Sequence, residues 1–335
     1  MKNISIKIVS LLFAAGLIIG CEKNVDIDID EIETMLVMNG LLSADSAVDI
    51  YITRTRHILD NMDINVLTGV KVRIYDESGN SDSLVYGSGQ LYHSNNIHTG
   101  EGKTYRITAE MEGMESVEAS CTIPYKVPLK KVDTSGIVDE WGNRQISFEI
   151  IFDDPPGEDN YYMFSIGSDK VTQYIDYFYE LDTLYVDIEK DTVVIGYRRD
   201  SIVNIYGVNE NIWFSSEDLA VDQWDYQSGR IVFSDKLFDG KTYSLNGSFD
   251  TYFLYDASDS VTIYMNLHTI NYDYYKYLDT RQDHYYAKDD LFAVPVVVHN
   301  NIENGLGILG GMSVATDSFK MAPMRYDYWY YGYEK

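Results

Sequence analysis

The chain has 335 residues, with 53 Asp and Glu against 26 Lys and Arg and a formal net charge of -27. Such a surface repels nucleic acid, which demands a basic face, and it repels anionic lipid head groups as well. Apolar residues make up 45%, which is ordinary for a globular protein, so the acidity does not mean disorder. The unusual count is 30 Tyr against 6 Pro and 4 Trp. Tyrosine favours strands and half-buried surfaces, because its ring is apolar and its hydroxyl is wet.

The N-terminus reads MKNISIKIVSLLFAAGLIIGCEKN. Lys2 and Lys7 form a short positive region, and Ile8 to Ile19 are apolar apart from Ser10 and Gly16. A spanning helix needs ~20 apolar residues, so this run is too short and fits the core of a secretory signal. Its end, Ile18-Ile19-Gly20-Cys21, resembles the lipobox of bacterial lipoproteins. That resemblance implies cleavage after residue 20 and lipid on Cys21. Acyl chains of that kind anchor a protein to a membrane without spanning it. Removing residues 1–20 deletes two lysines and no acid, so the mature charge is -27 - 2 = -29. With Cys21 lipidated, the one other cysteine, Cys121, has no partner within the chain and reads as a small buried hydrophobe.

Residues 21–34 form an acidic tether. From Met35 to Pro124 apolar residues alternate with polar ones, in stretches such as AVDIYITRT and KTYRITAEM. Turn signals separate them at Ser43-Ala44-Asp45, Glu77-Ser78-Gly79-Asn80 and Gly100-Glu101-Gly102. This spacing predicts an immunoglobulin-like β-sandwich over 35–125. Residues 126–335 predict a second, tyrosine-rich antiparallel β domain with longer strands and hairpin turns at Gly240 and Gly247. One segment breaks the period. Tyr274, Tyr277, Leu278, Arg281 and Tyr285 recur every three or four residues, which predicts a helix near 271–286 with Asn271 or Asp273 as its cap. The expected fold is therefore mainly β, two antiparallel β-sandwich-like domains, the second with one helix in its C-terminal half.

Three motifs raise chemical questions. Gly305-Leu306-Gly307-Ile308-Leu309-Gly310 spells G-x-G-x-x-G. A dinucleotide fingerprint needs a helix opening at the third glycine and a returning strand. Here only 25 residues follow Gly310, with Pro323 among them, so the glycines read as close backbone approach or a bulge beside a strand. Asp153, Asp154, Glu158 and Asp159 flank Pro155-Pro156-Gly157 and allow either a hard-cation site or a solvated acidic turn, without EF-hand spacing. The tail residues Tyr326, Tyr328, Trp329, Tyr330, Tyr331 and Tyr333 fit core packing, a partner interface or a sugar platform. The six histidines form no zinc spacing, though His93 and His98 could meet across a turn, and Gly311-Met312-Ser313-Val314-Ala315 fails the nucleophile-elbow pattern at its last position. Carboxylates are too abundant to single out a glycosidase pair. No catalytic residue, cofactor or metal is assigned.

The C-terminal block LFAVPVVVHNNIENGLGILGG, after a tyrosine-rich helix, is similar to the hallmark of a Bacteroidota-type lipoprotein family known as domain of unknown function 4249. The matching residues are Phe292, Pro295, Asn301, Ile302, Gly305, Gly307, Ile308 and Gly310. Leu309 stands where the family is usually aromatic, and Val294 where it often has an acid. FDDPPGEDNYY, VFSDKLFDGKTYSL, GVKVRIYDESG and GEGKTYRITAE resemble further family elements. The resemblance implies an outer-membrane lipoprotein, facing the periplasm or the cell surface, that acts with a TonB-dependent receptor in capturing a glycan or other nutrient. A stand-alone glycan-binding or adhesion lipoprotein is the alternative. The family assigns no catalytic residues.

Overall fold

A computed structural model describes residues 34–322 except 45, 57–66, 68, 88–90, 95, 139–143, 188–191, 226–228, 253–259, 289 and 291. For 138, 172–210 and 222–225 it gives the backbone alone. The expected signal peptide, the tether with Cys21, and the aromatic tail from Tyr326 to Tyr333 lie outside the described residues. The elements below belong to one compact unit.

The chain opens with seven short strands: β1 (Leu36–Ser43), β2 (Val48–Arg54), β3 (Lys71–Asp76), β4 (Ser81–Tyr86), β5 (Leu91–Ser94), β6 (Thr104–Glu110) and β7 (Val117–Thr122). Period-two alternation decides their faces. Val48, Ile50 and Ile52 of β2 and Tyr105, Ile107 and Ala109 of β6 all point into one hydrophobic cluster. β4 changes partner midway: Ser81 to Leu84 pair with β3, while Val85 and Tyr86 pair with β5. It thereby passes the chain from the β3-β6-β7 layer to the β1-β2-β5 layer. The predicted turn at 77–80 forms. Gly79 has φ +83°, and the Asn80 backbone and side-chain N–H groups donate to the two carboxylate oxygens of Asp76, each at 2.8 Å.

The rest comprises β8 (Leu129–Val138), β9 (Arg144–Asp153), β10 (Tyr161–Asp187), β11 (Thr192–Ile212), β12 (Phe214–Ser215), β13 (Val221–Asp225), β14 (Arg230–Ser234), a 3-10 turn (Asp235–Leu237), β15 (Thr242–Asp250), β16 (Val261–Ile270), α1 (Tyr272–Ala287) and β17 (Leu306–Met321). The fold is mainly β and sandwich-like, with two sheets. The larger runs β13-β14-β10-β16-β17-β1-β2-β5-β4-β3-β6-β7, with β11 attached to β10; the smaller is β12-β15-β9-β8. The sheets meet through aromatic rings: Phe148 of β9 lies 5.4 Å from Phe164 of β10, and Phe152 lies 5.1 Å from Tyr162. Each buried Phe contributes roughly 2 to 3 kcal/mol over an exposed one.

Gly247 is a correction. It lies inside β15, not at a turn, because a side chain there would strike the Phe148 ring and the Ser215 carbonyl at 2.5 Å. Gly240 does sit at the turn, with φ +67°.

β17 holds the larger sheet together. Its first half, Leu306 to Met312, pairs in parallel with β1, and its second half, Met312 to Met321, pairs antiparallel with β16. Leu309 packs into the cluster of β1–β7, and Ile308 packs under α1 with Tyr274, Tyr275 and Leu278. Asn271 caps α1: its Oδ1 accepts from the N–H of Tyr274 at 3.2 Å. The helix face is narrower than the sequence pattern predicts. Tyr274, Tyr275 and Leu278 are buried, but Tyr285 and Tyr286 of the last turn are exposed.

Candidate functional site

The glycine motif is a strand, not a phosphate cradle. β17 runs through Gly310 to Met321 without a helix opening there. Gly307 has φ +125°, and a Cβ on it would overlap the Met38 carbonyl oxygen of β1. On Gly311 a Cβ would meet the Thr122 carbonyl at 2.5 Å, and on Gly310 the Tyr274 ring at 2.9 Å. The glycines let backbone and ring approach the strand from several sides. Side chains finish the clasp. Asn301 accepts from the N–H of Leu309 and donates to its carbonyl, both at 2.9 Å, imitating a neighbouring strand. Asn39 accepts from Ile308 N–H at 3.3 Å, and the helix cap Asn271 accepts from Gly311 N–H at 3.0 Å. Cys121 is buried beside this strand and donates weakly to the Gly310 carbonyl at 3.5 Å. Burial, with the charge of Asp273 as a smaller cause, pushes its thiol up to about 12, so it is not a reactive thiolate.

The segment before the clasp behaves differently. Residues 294–300 belong to no helix or strand and run back along α1. His284 Nδ1 donates to the Val296 carbonyl at 2.8 Å, the His299 N–H donates to Thr280 Oγ1 at 2.8 Å, and His299 Nε2 donates to Asp273 at 2.8 Å. These bonds fix the backbone while leaving apolar side chains outward. Phe292 is 96% exposed, Val294 81% and Val297 87%, and Pro295 is exposed with them. The exposed Tyr285 and Tyr286 belong to the same end of the helix, and Lys288 lies over the Tyr285 ring at 4.2 Å. An apolar strip held rigid by hydrogen bonds has the character of a docking surface.

The acidic turn is also regrouped. Asp153 pairs with Lys130 and Thr242, and Glu158 and Asp159 are exposed. Asp154 instead turns inward and meets Asp235 and Asp239, from the 3-10 turn and the loop after it; one oxygen of each lies within 4.8 Å of the others. The solvated-turn expectation therefore fails for Asp154, which is buried with Asp235. Tyr162 donates to Asp154 at 2.5 Å and Gly240 N–H donates to it at 2.8 Å. Asn160 N–H donates to Asp235 at 2.8 Å, and Gly157 N–H to Asp239 at 3.1 Å. Burial, with the nearby charges of Asp235 and Asp239, raises the Asp154 carboxyl above its ordinary value, against the lowering effect of its hydrogen bonds. Burial and the bond to Asp154 raise the Tyr162 hydroxyl as well. Close carboxylates are relieved by a proton or a cation. The trio supplies three oxygens of the six to eight that Ca²⁺ takes. Its evident work is to tie the β14–β15 connection to the β9–β10 turn.

His93 stands in β5 opposite Asp49 and Val85, while the His98 carbonyl accepts from Tyr105 Oη at 3.5 Å. His268 of β16 is partly buried beside Ser165, at 3.1 Å, and burial, with the charge of Arg230, lowers it to about 4. At the foot of the β10–β11 hairpin an open concavity of about 340 Å³ is lined in part by Asp169, Tyr264, Asn266 and Thr316. Tyr264 there donates to Asp169 at 2.7 Å and Thr316 to Asn266 at 2.8 Å. Sequence reasoning missed this concavity, because its walls come from four strands spread over about 150 residues of the chain.

The chain belongs to the family described as "Domain of unknown function (DUF4249)", whose model matches residues 22–318. No curated protein matches it. Among solved structures it is similar to the full-length major pilin SpaD from Corynebacterium diphtheriae, at 10% identity and a TM-score of 0.21, over 90% of this chain and 68% of the pilin. It is also similar to the NetB toxin of Clostridium perfringens in its membrane-inserted form, at 7% identity and a TM-score of 0.12, over 76% of this chain and 96% of the toxin. Superpositions this loose bear on neither fold nor function.

Proposed function

Starting from membership of that family, we propose that this protein is a non-enzymatic outer-membrane lipoprotein, anchored through Cys21, that docks on a TonB-dependent receptor and helps it capture a ligand. One observation carries the reading. The family-like block divides into a half that is consumed in packing, Asn301 to Gly311, and a half that packs against little, Phe292 to Val297. Exposed apolar groups held on a fixed backbone suit a partner surface, since little order remains to be lost on binding. The lipobox-like end at Cys21 supports the membrane location, and the acidic surface argues against nucleic acid.

The test is a co-purification. The protein is tagged after Lys335, expressed at native level and taken gently from the outer membrane. The reading expects a TonB-dependent receptor in near-equal amount, and loss of that receptor when Phe292→Asp and Val297→Asp are combined in a variant of unchanged melting temperature. If the protein elutes alone and surface glycans retain it, the adhesion reading replaces this one.

A further inference from the structure

β10 outruns the sheet that holds it. β16 pairs with it over 161–169, β14 over 161–165, and β11 from Ile166 outward. From Lys170 to Asp187, among the described residues, β10 pairs with β11 alone. Those 18 residues make a two-stranded ribbon about 60 Å long at ~3.3 Å per residue. A lone two-stranded ribbon is marginal in water. Something must cover it.

The register says which face. Partners from Val171↔Gly207 to Thr183↔Ile195 place every second residue of both strands together. The face holding 171, 173 and onward to 183, with 195, 197 and onward to 207, has fourteen positions. Nine are apolar or aromatic, among them Ile175, Tyr177, Leu181, Tyr197, Val203 and Ile205, and Arg199 is the one charge. The other face has twelve positions between 172–182 and 196–206. Five are charged: Asp176, Glu180, Asp182 and Asp200 with Arg198. No proline interrupts residues 161–212, so the strand edges lack that block against pairing.

A bilayer does not suit this ribbon. Its open edges present N–H and C=O groups that hydrocarbon cannot satisfy, and interfacial elements favour a basic polar face, not an acidic one. We propose that the ribbon is a dimerisation arm, and that the occupant of its apolar face is the same face of a second copy of this chain, related by a two-fold axis. Two identical ribbons match in length without overhang. The fourteen-position face, 171 to 183, is about 43 Å by about 10 Å, which gives roughly 430 Å² per copy and about 860 Å² for the pair, the size of a weak and reversible interface. In a chain of net charge -27, this acid-free face lets two copies meet without setting acid against acid.

The test uses the chain from residue 22 onward, which carries no lipid and contains every described element. Sedimentation is followed from about 1 to about 100 µM, a range in which an interface of this size associates. A dimer is expected. Val203→Asp, on the apolar face, weakens it by about tenfold or more. Ile202→Asp, one residue away on the acidic face, makes the same change in strand propensity and leaves association within about twofold. The body's melting temperature checks that both variants fold. A wild-type monomer throughout the range overturns the proposal, as do two variants that behave alike. A monomer whose Val203→Asp variant loses binding to an outer-membrane receptor, or to phosphatidylethanolamine vesicles, overturns it by naming another occupant.

Discussion

β17 and β10 are both long strands, of 16 and 27 residues, and they use that length in opposite ways. β17 changes partner at Met312 and has a neighbour on each side, with continuous burial from Ile308 to Gly311. Glycine makes that possible, because backbone from β1, backbone at the end of β7 and the Tyr274 ring all come closer than a Cβ permits. β10 begins in the same kind of surroundings, with Tyr162, Phe164 and Ile166 in the core, and then leaves them behind. Its alternation persists where, among the described residues, the strand pairs with β11 alone. An apolar face is thus a packing feature in one strand and an interaction feature in the other, and the difference lies in the neighbours.

The sharpest way to break the comparison is Gly307→Ala. Position 307 combines φ +125° with a Cβ that would overlap the Met38 carbonyl, so a loss of about 3 kcal/mol or more is expected, read as a failure to accumulate or a fall in melting temperature of about 6 °C or more. Gly113→Ala is the control. It shares positive φ, at +81°, but opens on empty space, so strain alone should cost about 1 kcal/mol. Equal losses in the two variants would remove close approach as the reason for the glycine strand.

Acid tests the body next. The folded value of His268, about 4, lies below its ordinary 6.5, because burial first and the charge of Arg230 second disfavour the imidazolium. A depressed histidine stabilises the fold above the unfolded value, and that contribution is lost as pH falls from about 6.5 towards 4. Chemical denaturation across that interval should show the wild type losing about 3 kcal/mol more than His268→Gln. Parallel curves would mean that the imidazole meets water in the native state. Asn301→Ala should have a smaller effect. It removes two 2.9 Å bonds to the backbone of fully buried Leu309, at about 2 kcal/mol by denaturant midpoint.

Much of this is written locally in the sequence. The β2 and β6 alternations, the Glu77–Asn80 turn, the Asn271 cap and the burial of Cys121 each depend on a few neighbouring residues, and each is legible there. The glycine stretch is legible as a strand because the residues after Gly310 carry no amphipathic helix pattern. What escapes is long-range. Asp154 looks like one member of an acidic turn, yet its carboxylate partners stand 81 and 85 positions further on, and local spacing carries no record of them. Gly247 looks like a turn until Phe148, about 100 residues away, packs over it. The candidate surface is half legible. Phe292 and Pro295 stand out in the family-like block, but their exposure follows from the bonds at His284 and His299, which only the folded helix supplies. The ribbon escapes for a different reason: an alternating strand reads the same whether or not a second layer covers it.

The smallest expected effect sharpens the comparison most. Replacing residues 175–203 by Asn-Gly joins the paired residues Tyr174 and Asn204 through a two-residue hairpin turn and keeps the register from Ile166↔Ile212 to Tyr174↔Asn204. β17 admits no such excision, because its two halves hold β1 and β16. In β10 the excised part pairs only with β11 among the described residues, so the body keeps its core pairs with β14 and β16. The melting temperature should move by less than about 2 °C, since well under 1 kcal/mol of the cooperative transition is removed. A fall of about 5 °C or more would place the ribbon inside the cooperative unit, and the two long strands would then differ in position but not in kind.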